Sequence, residues 1–240
     1  MLNRNAEIKI CSMGNIEKDL QAMMESLQKK NGHRGRFDFV IGNPPYIGYN
    51  DCCRQKQFWT TKIADKHDNS INMGDVYGVN LHSVPNNPKK YAPKPNLYAF
   101  FIALGLALLK DGGKICYIIP QTILTETDYD VMRYHLSYNT TIQKIITFGG
   151  NLFIGRGLKQ NKPVATSSLI FVVKKEKPSA DHKIKIVNYN EYNESQSCDF
   201  EKYFNSHNKN VFEVSQSYLR DNYSNWNILK CDEVFAKFYS

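Results

Sequence analysis

Asn43, Pro44, Pro45 and Tyr46 stand in a row directly after the apolar run Phe37-Asp38-Phe39-Val40-Ile41-Gly42. Such a set joins an amide to an aromatic ring on a rigid polar tip. Both prolines have φ fixed by their rings, and Pro44 keeps Asn43 out of the helical region, so these groups have little backbone freedom. The same tetrapeptide could also serve as a rigid turn after a strand with no further role. Other chemistry-bearing residues are scattered. Cys11, Cys52, Cys53, Cys116, Cys198 and Cys231 form no CxxC pair and no Cys/His spacing typical of zinc. Gly155-Arg156-Gly157 lacks the third glycine and the strand-to-helix setting of a dinucleotide fingerprint.

The elements around the tetrapeptide decide where it sits. The run up to Ile41 has the length and β-branched character of a buried strand, and Gly42 with the prolines ends it abruptly. Asn43 and Tyr46 are thereby placed at a strand's C-terminal end, where open α/β sheets bind ligands. Upstream, Glu7 to Cys11 reads as a short strand. A helix follows with Ile16, Leu20, Met23, Met24 and Leu27 on one face and Asn15 as its cap. Residues 47–95 are irregular and rich in proline toward their end, an insertion or lid.

From Asn96-Leu97 to Leu109 the chain is apolar nearly all round, which predicts a deeply buried helix stopped by Lys110-Asp111-Gly112-Gly113. Lys114 to Pro120 is apolar on both faces, as central parallel strands are. A helix is expected over about Asp128 to Ser137, and a strand over Ile142 to Phe148. After a glycine-containing basic loop from Gly149 to Pro163, Ala165 to Val173 can return antiparallel as a hairpin. Ile184 to Val187 is a further candidate strand, and a short helix is expected near Cys231 to Phe238.

At 240 residues the chain can bury one good core or two small ones. Its 31 Lys+Arg against 23 Asp+Glu give +8, which suits a polyanionic partner without requiring one. No segment reaches the roughly 18 apolar residues needed to span a bilayer, so no membrane role is expected. Thiols without pairing signatures suit a reducing, cytoplasmic setting.

The order strand, Asn-Pro-Pro-Tyr, helix, Gly-Gly, strand ending in proline, helix, hairpin resembles the amino-methyltransferases that use S-adenosylmethionine. It is most similar to the adenine-N6 DNA methyltransferases of type II restriction-modification systems, of the TaqI kind. The resemblance rests on Asn43 to Tyr46, Asn96 to Phe101, Leu108 to Gly113, Ile118-Ile119-Pro120 and Phe148-Gly149 to Phe153. It covers roughly residues 5 to 175.

This resemblance implies an α/β, Rossmann-like methyltransferase sheet with a C-terminal antiparallel hairpin. Double-stranded DNA is the implied partner and S-adenosyl-L-methionine the implied cofactor. The Asn43 carbonyl and the Pro44 main-chain carbonyl would accept both hydrogens of an adenine amine, with Pro45 completing the catalytic motif. That would restore lone-pair density to a poor nucleophile. Tyr46 would stack on a base extruded from the duplex, Phe153 would supply a second ring, and Arg156, Lys159 and Lys162 would meet phosphates. Asn43, Asn15 and Tyr98 are the implied cofactor contacts.

The departures carry expectations too. The family's glycine-rich first motif is missing, and Cys11-Ser12-Met13-Gly14-Asn15 occupies the place of an Asp that contacts the cofactor's adenine. With the family strand order 3-2-1-4-5-7-6, the chain would lack its first strands and leave the Phe37–Ile41 strand with a bare apolar edge. Residues 1–188 are then a partial catalytic domain completed by further chain segments or a subunit. Residues 189–240 extend toward an absent target-recognition domain. Methylation of RNA or of a protein glutamine is an alternative, as is a truncated, non-catalytic nucleic-acid-binding remnant.

Overall fold

The computed structural model describes residues 35–48, 83–84, 87–88, 96–148, 167–189 and 210–239. The expected Glu7–Cys11 strand, the helix capped by Asn15 and most of the 47–95 stretch lie outside the described residues. So does the loop carrying Phe153, Arg156, Lys159 and Lys162.

Eight strands and four helices are seen among the described residues. They run β1 (Phe37–Gly42), β2 (Ser83–Val84), β3 (Asn87–Pro88), α1 (Leu97–Leu108), β4 (Leu109–Pro120), α2 (Asp130–Asn139), β5 (Thr141–Phe148), β6 (Ser168–Lys174), β7 (Lys183–Tyr189), β8 (Val211–Ser215), α3 (Gln216–Asp221) and α4 (Glu233–Tyr239). Short 3₁₀ turns at Gln121–Leu124 and Thr127–Tyr129 bridge β4 to α2. β2 and β3 form a separate antiparallel pair.

The main sheet has the order β1-β4-β6-β5-β7-β8. It is mixed: β1–β4 and β5–β7 are parallel, while β4–β6, β5–β6 and β7–β8 are antiparallel. The first four strands reproduce the expected 4-5-7-6 half of the sheet. Two helical crossovers, through α1 and α2, carry the chain from β1 to β4 and from β4 to β5. The second skips one position, and β6 returns into the gap, with Tyr117 and Ile145 both registered on Phe171. That return is the expected hairpin. β8, a strand that sequence periodicity does not single out, pairs with β7 and closes the far edge.

α1 forms where the sequence predicts it, and its near-uniform apolar surface is buried, as a helix laid deep against a sheet requires. Asn96 caps its start, its side-chain oxygen accepting from the Tyr98 N–H. The expected stop at Lys110–Gly113 needs correction. The helix ends at Leu108, and Leu109 to Gly113 already belong to β4. Gly112 adopts φ +79°, a conformation that favours glycine. Its N–H bonds to the Lys175 carbonyl, and the Gly113 carbonyl receives the Lys175 N–H, so pairing past the end of β6 extends the strand backward.

The core lies between one face of the sheet and the helices. Ile115, Tyr117 and Ile119 of β4, with Leu169, Phe171 and Val173 of β6, pack in one cluster with Ile102 and Leu106 of α1, Met132 and Leu136 of α2, Leu219 of α3 and Trp226. Gly105 lets α1 approach closely: a Cβ there would stand 2.5 Å from Ile115 Cδ1 and 2.7 Å from the Tyr117 hydroxyl. A smaller cluster of Ile146, Phe148, Val187 and Tyr189 sits apart.

β1 corrects a second expectation. It reads as a buried strand, yet only Phe37 and Val40 pack against the core, while Phe39 is 65% and Ile41 77% exposed. A short apolar run cannot tell burial on one face from burial on two. Among the described residues β1 is an edge of the sheet, and Phe39 and Ile41 lie uncovered on it.

Candidate active site

The site is assembled at the C-terminal ends of β1 and β4. Gly42, the last residue of β1, lies against the Tyr117 ring, where an added Cβ would be 3.3 Å from the ring edge. The chain then turns out. Asn43 is exposed, Pro44 is buried, and Pro45 and Tyr46 are half-buried. The Ile47 carbonyl accepts the Leu97 N–H at 2.9 Å, which fastens the far end of the tetrapeptide to the start of α1. An exposed amide and a half-buried phenol are thus held between a strand end and a helix N-terminus.

Tyr46 is held at two places. Its hydroxyl donates to the Ile118 carbonyl of β4 at 2.9 Å, and its ring meets the Tyr98 ring edge-on, with centroids 6.4 Å apart at 80°. Tyr98 in turn stacks on Tyr129 at 5.2 Å and 17°. The Tyr98 and Thr122 hydroxyls are hydrogen-bonded at 3.0 Å, and the Tyr129 hydroxyl accepts the Asn96 N–H at 3.0 Å. Two further rings, Tyr98 and Tyr129, with Ile118, Thr122 and Asn96 as hydroxyl partners, therefore back the tip.

Burial sets the protonation of these rings. It pushes the Tyr46 phenol up to about 12, against a smaller opposing effect of a hydrogen bond from Ser168. Tyr98 is raised well above its ordinary value by burial first and by the neighbouring Tyr129 second. Tyr129 is raised by burial too. Around neutral pH all three are neutral phenols, suited to stacking and hydrogen bonding rather than to proton abstraction.

Of the residues singled out from the sequence, Asn43, Pro44, Pro45 and Tyr46 come together with Tyr98. Tyr98 is 0% exposed and stands behind Tyr46. Asn15, Phe153, Arg156, Lys159 and Lys162 lie outside the described residues. Sequence reasoning passed over Gln121, Thr122, Tyr129 and Ser168. The signal available for Gln121 and Thr122 was their place just after Ile118-Ile119-Pro120, a second strand end beside the first.

A strand-end amide and phenol on a 4-5-7-6 half-sheet with α/β crossovers define a Rossmann-like methyltransferase domain. The chain belongs to the Eco57I restriction-modification methylase family, whose family model matches residues 3–154. It is 27% identical over 120 residues to a type II methyltransferase of Thermus thermophilus, a match covering 50% of this chain and 24% of that protein. The matched stretch thus spans about a quarter of that curated relative. Among solved structures the chain is similar to the type IIG restriction endonuclease BpuSI, at TM-score 0.54 and 18% identity, covering 84% of this chain and 22% of the other. It is also similar to the type I restriction-modification methyltransferase subunit from Streptococcus thermophilus, at TM-score 0.54 and 17% identity, covering 87% and 41%. Both likenesses show a shared fold.

S-adenosylmethionine is the cofactor this methylase family implies. The described residues fit it in part: Asn43 is exposed at the mouth of the site, makes no hydrogen bond among the described residues and offers both a donor and an acceptor. Tyr98 has no exposed surface to offer. No helix among the described residues is long and apolar enough to cross a membrane, and no cluster of metal-binding side chains is found among them.

Proposed function

We propose that this chain carries the target-base half of a DNA methyltransferase that modifies the N6 amine of adenine within a restriction-modification system. The observation that carries the reading is an exposed Asn43 three residues before a Tyr46 ring that is fixed to the Ile118 carbonyl and braced by Tyr98. The Asn43 side-chain carbonyl and the Pro44 carbonyl accept the two hydrogens of the amine, which turns its lone pair out of the ring. Tyr46 stacks on the flipped base, worth about 1–3 kcal/mol, comparable to the few kcal/mol of unstacking that it offsets. S-adenosylmethionine supplies the methyl group when bound. Phe153 adds a second ring, and Arg156, Lys159 and Lys162 meet the phosphates of duplex DNA.

Further polypeptide, from the same protein or a subunit, completes the cofactor half in this reading. The uncovered Phe39 and Ile41 support it, since side chains of this size gain about 1.5–3 kcal/mol each when buried. Residues 1–188 are the catalytic part. The 189–240 extension, whose β8 joins the same sheet, leads toward target recognition.

The test is the identity of the methylated product. Full-length enzyme given tritiated S-adenosylmethionine and unmethylated bacterial genomic DNA should yield N6-methyldeoxyadenosine on digestion to nucleosides. Label found instead in ribosomal RNA or in a glutamine-bearing protein would replace this reading with the alternative one.

A further inference from the structure

Arg133, in α2, is 0% exposed, and the hydrogen bonds that its guanidinium donates all go to main-chain carbonyls. Its Nη1 reaches the turns that follow β4, at the Ile123 carbonyl (2.7 Å) and the Glu126 carbonyl (2.9 Å). The Glu126 carbonyl also receives the Tyr129 N–H at 3.2 Å, and the Thr122 carbonyl, one residue before Ile123, receives the N–H groups of Thr125 and Glu126 at 3.2 and 3.0 Å. A single nitrogen therefore fixes the two short turns that present Thr122 and Tyr129, which are the hydroxyl partner and the stacking partner of Tyr98. The remaining donors face the segment after α3: Nε bonds the Tyr223 carbonyl and Nη2 the Ser224 carbonyl, each at 2.6 Å. That segment returns to the same turns through the Trp226 N–H, which donates to the Leu124 carbonyl at 2.8 Å.

Burying a guanidinium is costly, and a side chain needed only to fill this space could be apolar. An apolar side chain cannot hold carbonyls from two separate segments at fixed angles, which the planar fork of an arginine does. We propose that Arg133 is a positioning residue for the target base: through Thr122 and Tyr129 it fixes the Tyr98 ring that Tyr46 meets edge-on, and it makes the Tyr223–Trp226 segment part of the frame of the active site. This rests on the reading of Tyr46 as the stacking surface. It gives the C-terminal extension a part in shaping the site, besides leading toward target recognition.

The experiment uses the full-length enzyme with tyrosines ¹³C-labelled at Cζ, the Tyr46 and Tyr98 resonances being assigned from their loss in Tyr46→Phe and Tyr98→Phe. Arg133→Lys keeps the charge but loses the fork that reaches both segments. Ile184→Ala, at a buried position of β7 with β6 and β5 between it and β4, is the control for lost stability alone. The variants are compared where circular dichroism shows each fully folded. Arg133→Lys should move both resonances and, with unmethylated genomic DNA and saturating S-adenosylmethionine, slow single-turnover methylation about tenfold or more, as a small misplacement far from the chemistry does. Ile184→Ala should do neither. If Arg133→Lys does not fold, exposed Asn225→Gly takes its place: it removes the side-chain acceptor of the Asn227 N–H and so loosens the turn that carries the Tyr223 and Ser224 carbonyls, with the same resonance shifts and a smaller loss of rate. Unmoved resonances, or a rate no slower than that of Ile184→Ala, overturn the proposal; slowed transfer by Tyr46→Ala in the same series shows that the stacking role survives that failure. Unimpaired transfer by Tyr46→Ala would instead remove the stacking role itself, and the Arg133 proposal with it.

Discussion

The Tyr46 hydroxyl and the Ile118 carbonyl, 72 residues apart in sequence, are joined by a 2.9 Å hydrogen bond. It ties the tip that follows β1 to the end of β4, so two neighbouring parallel strands hold the Tyr46 ring between them.

Behind that bond stands Tyr98, and its substitution should separate support from chemistry. Tyr98→Ala removes a buried aromatic ring between Tyr46 and Tyr129 and should cost about 3–5 kcal/mol of stability. Tyr98→Phe keeps the ring but leaves the half-buried Thr122 hydroxyl without this partner, for about 0.5–1.5 kcal/mol. Urea denaturation of both variants checks the order; equal costs would mean that the hydroxyl pair, not the ring, supports the site.

The tip itself was legible because its residues act through local rules: a β-branched run, a glycine, then prolines. α1 was legible for the same reason, its apolar surface leaving no polar face to turn outward. What escaped depends on partners distant in sequence. Leu109 to Gly113 became strand through Lys175, and β8 is a strand because β7 lies beside it. Thr122 looks like an ordinary loop residue until the fold brings it to Tyr98.

Arg133 is the plainest case, a charged residue of α2 that the fold places inside. It is 0% exposed and donates to the carbonyls of Ile123 and Glu126 at 2.7 and 2.9 Å, and to those of Tyr223 and Ser224 at 2.6 Å each. Burial pulls its pKa down to about 10, partly offset by nearby Asp130. Replacing it with Met should strand these carbonyls and cost about 3–5 kcal/mol. It should also loosen the segment after α3 from the turns after β4. Hydrogen exchange at the Trp226 amide, which donates to the Leu124 carbonyl, reports that loosening; unchanged protection would contradict the clamp.

Alkaline pH should act on stability before it acts on chemistry. Tyr46 is raised from 10.0 to about 12 in the folded state, so the native form holds this proton more tightly than the unfolded chain does. Its contribution is therefore fully present below about pH 10 and lost as pH rises through about 12. Tyr98 and Tyr129 shift in the same direction. The expected result is a thermal midpoint that feels no tyrosine titration up to about pH 10 and falls beyond it, with tyrosinate absorbance from these rings appearing with unfolding. Early tyrosinate absorbance from Tyr46 in the folded protein would contradict the half-buried phenol bonded to Ile118.

Phe39 and Ile41 present an apolar surface on β1 that is a liability unless covered. Changing both to Lys in this 240-residue chain alone should reduce its self-association, seen as a shift to smaller species in sedimentation. In the full-length enzyme the same change should weaken S-adenosylmethionine binding by disturbing the cofactor half. Unaltered sedimentation of the isolated chain and unaltered cofactor affinity of the enzyme would show that this face is not a contact surface.

The central claim is that Asn43 directs the amine of an extruded adenine, and single-turnover formation of N6-methyldeoxyadenosine by full-length Asn43→Ala enzyme tests it most directly. Asn43 is exposed and makes no hydrogen bond among the described residues, so the variant should fold with unchanged stability. Its rate should fall on the order of a hundredfold or more, the usual scale for losing a group that stabilises a transition state. A rate within about twofold of the unsubstituted enzyme would contradict the account.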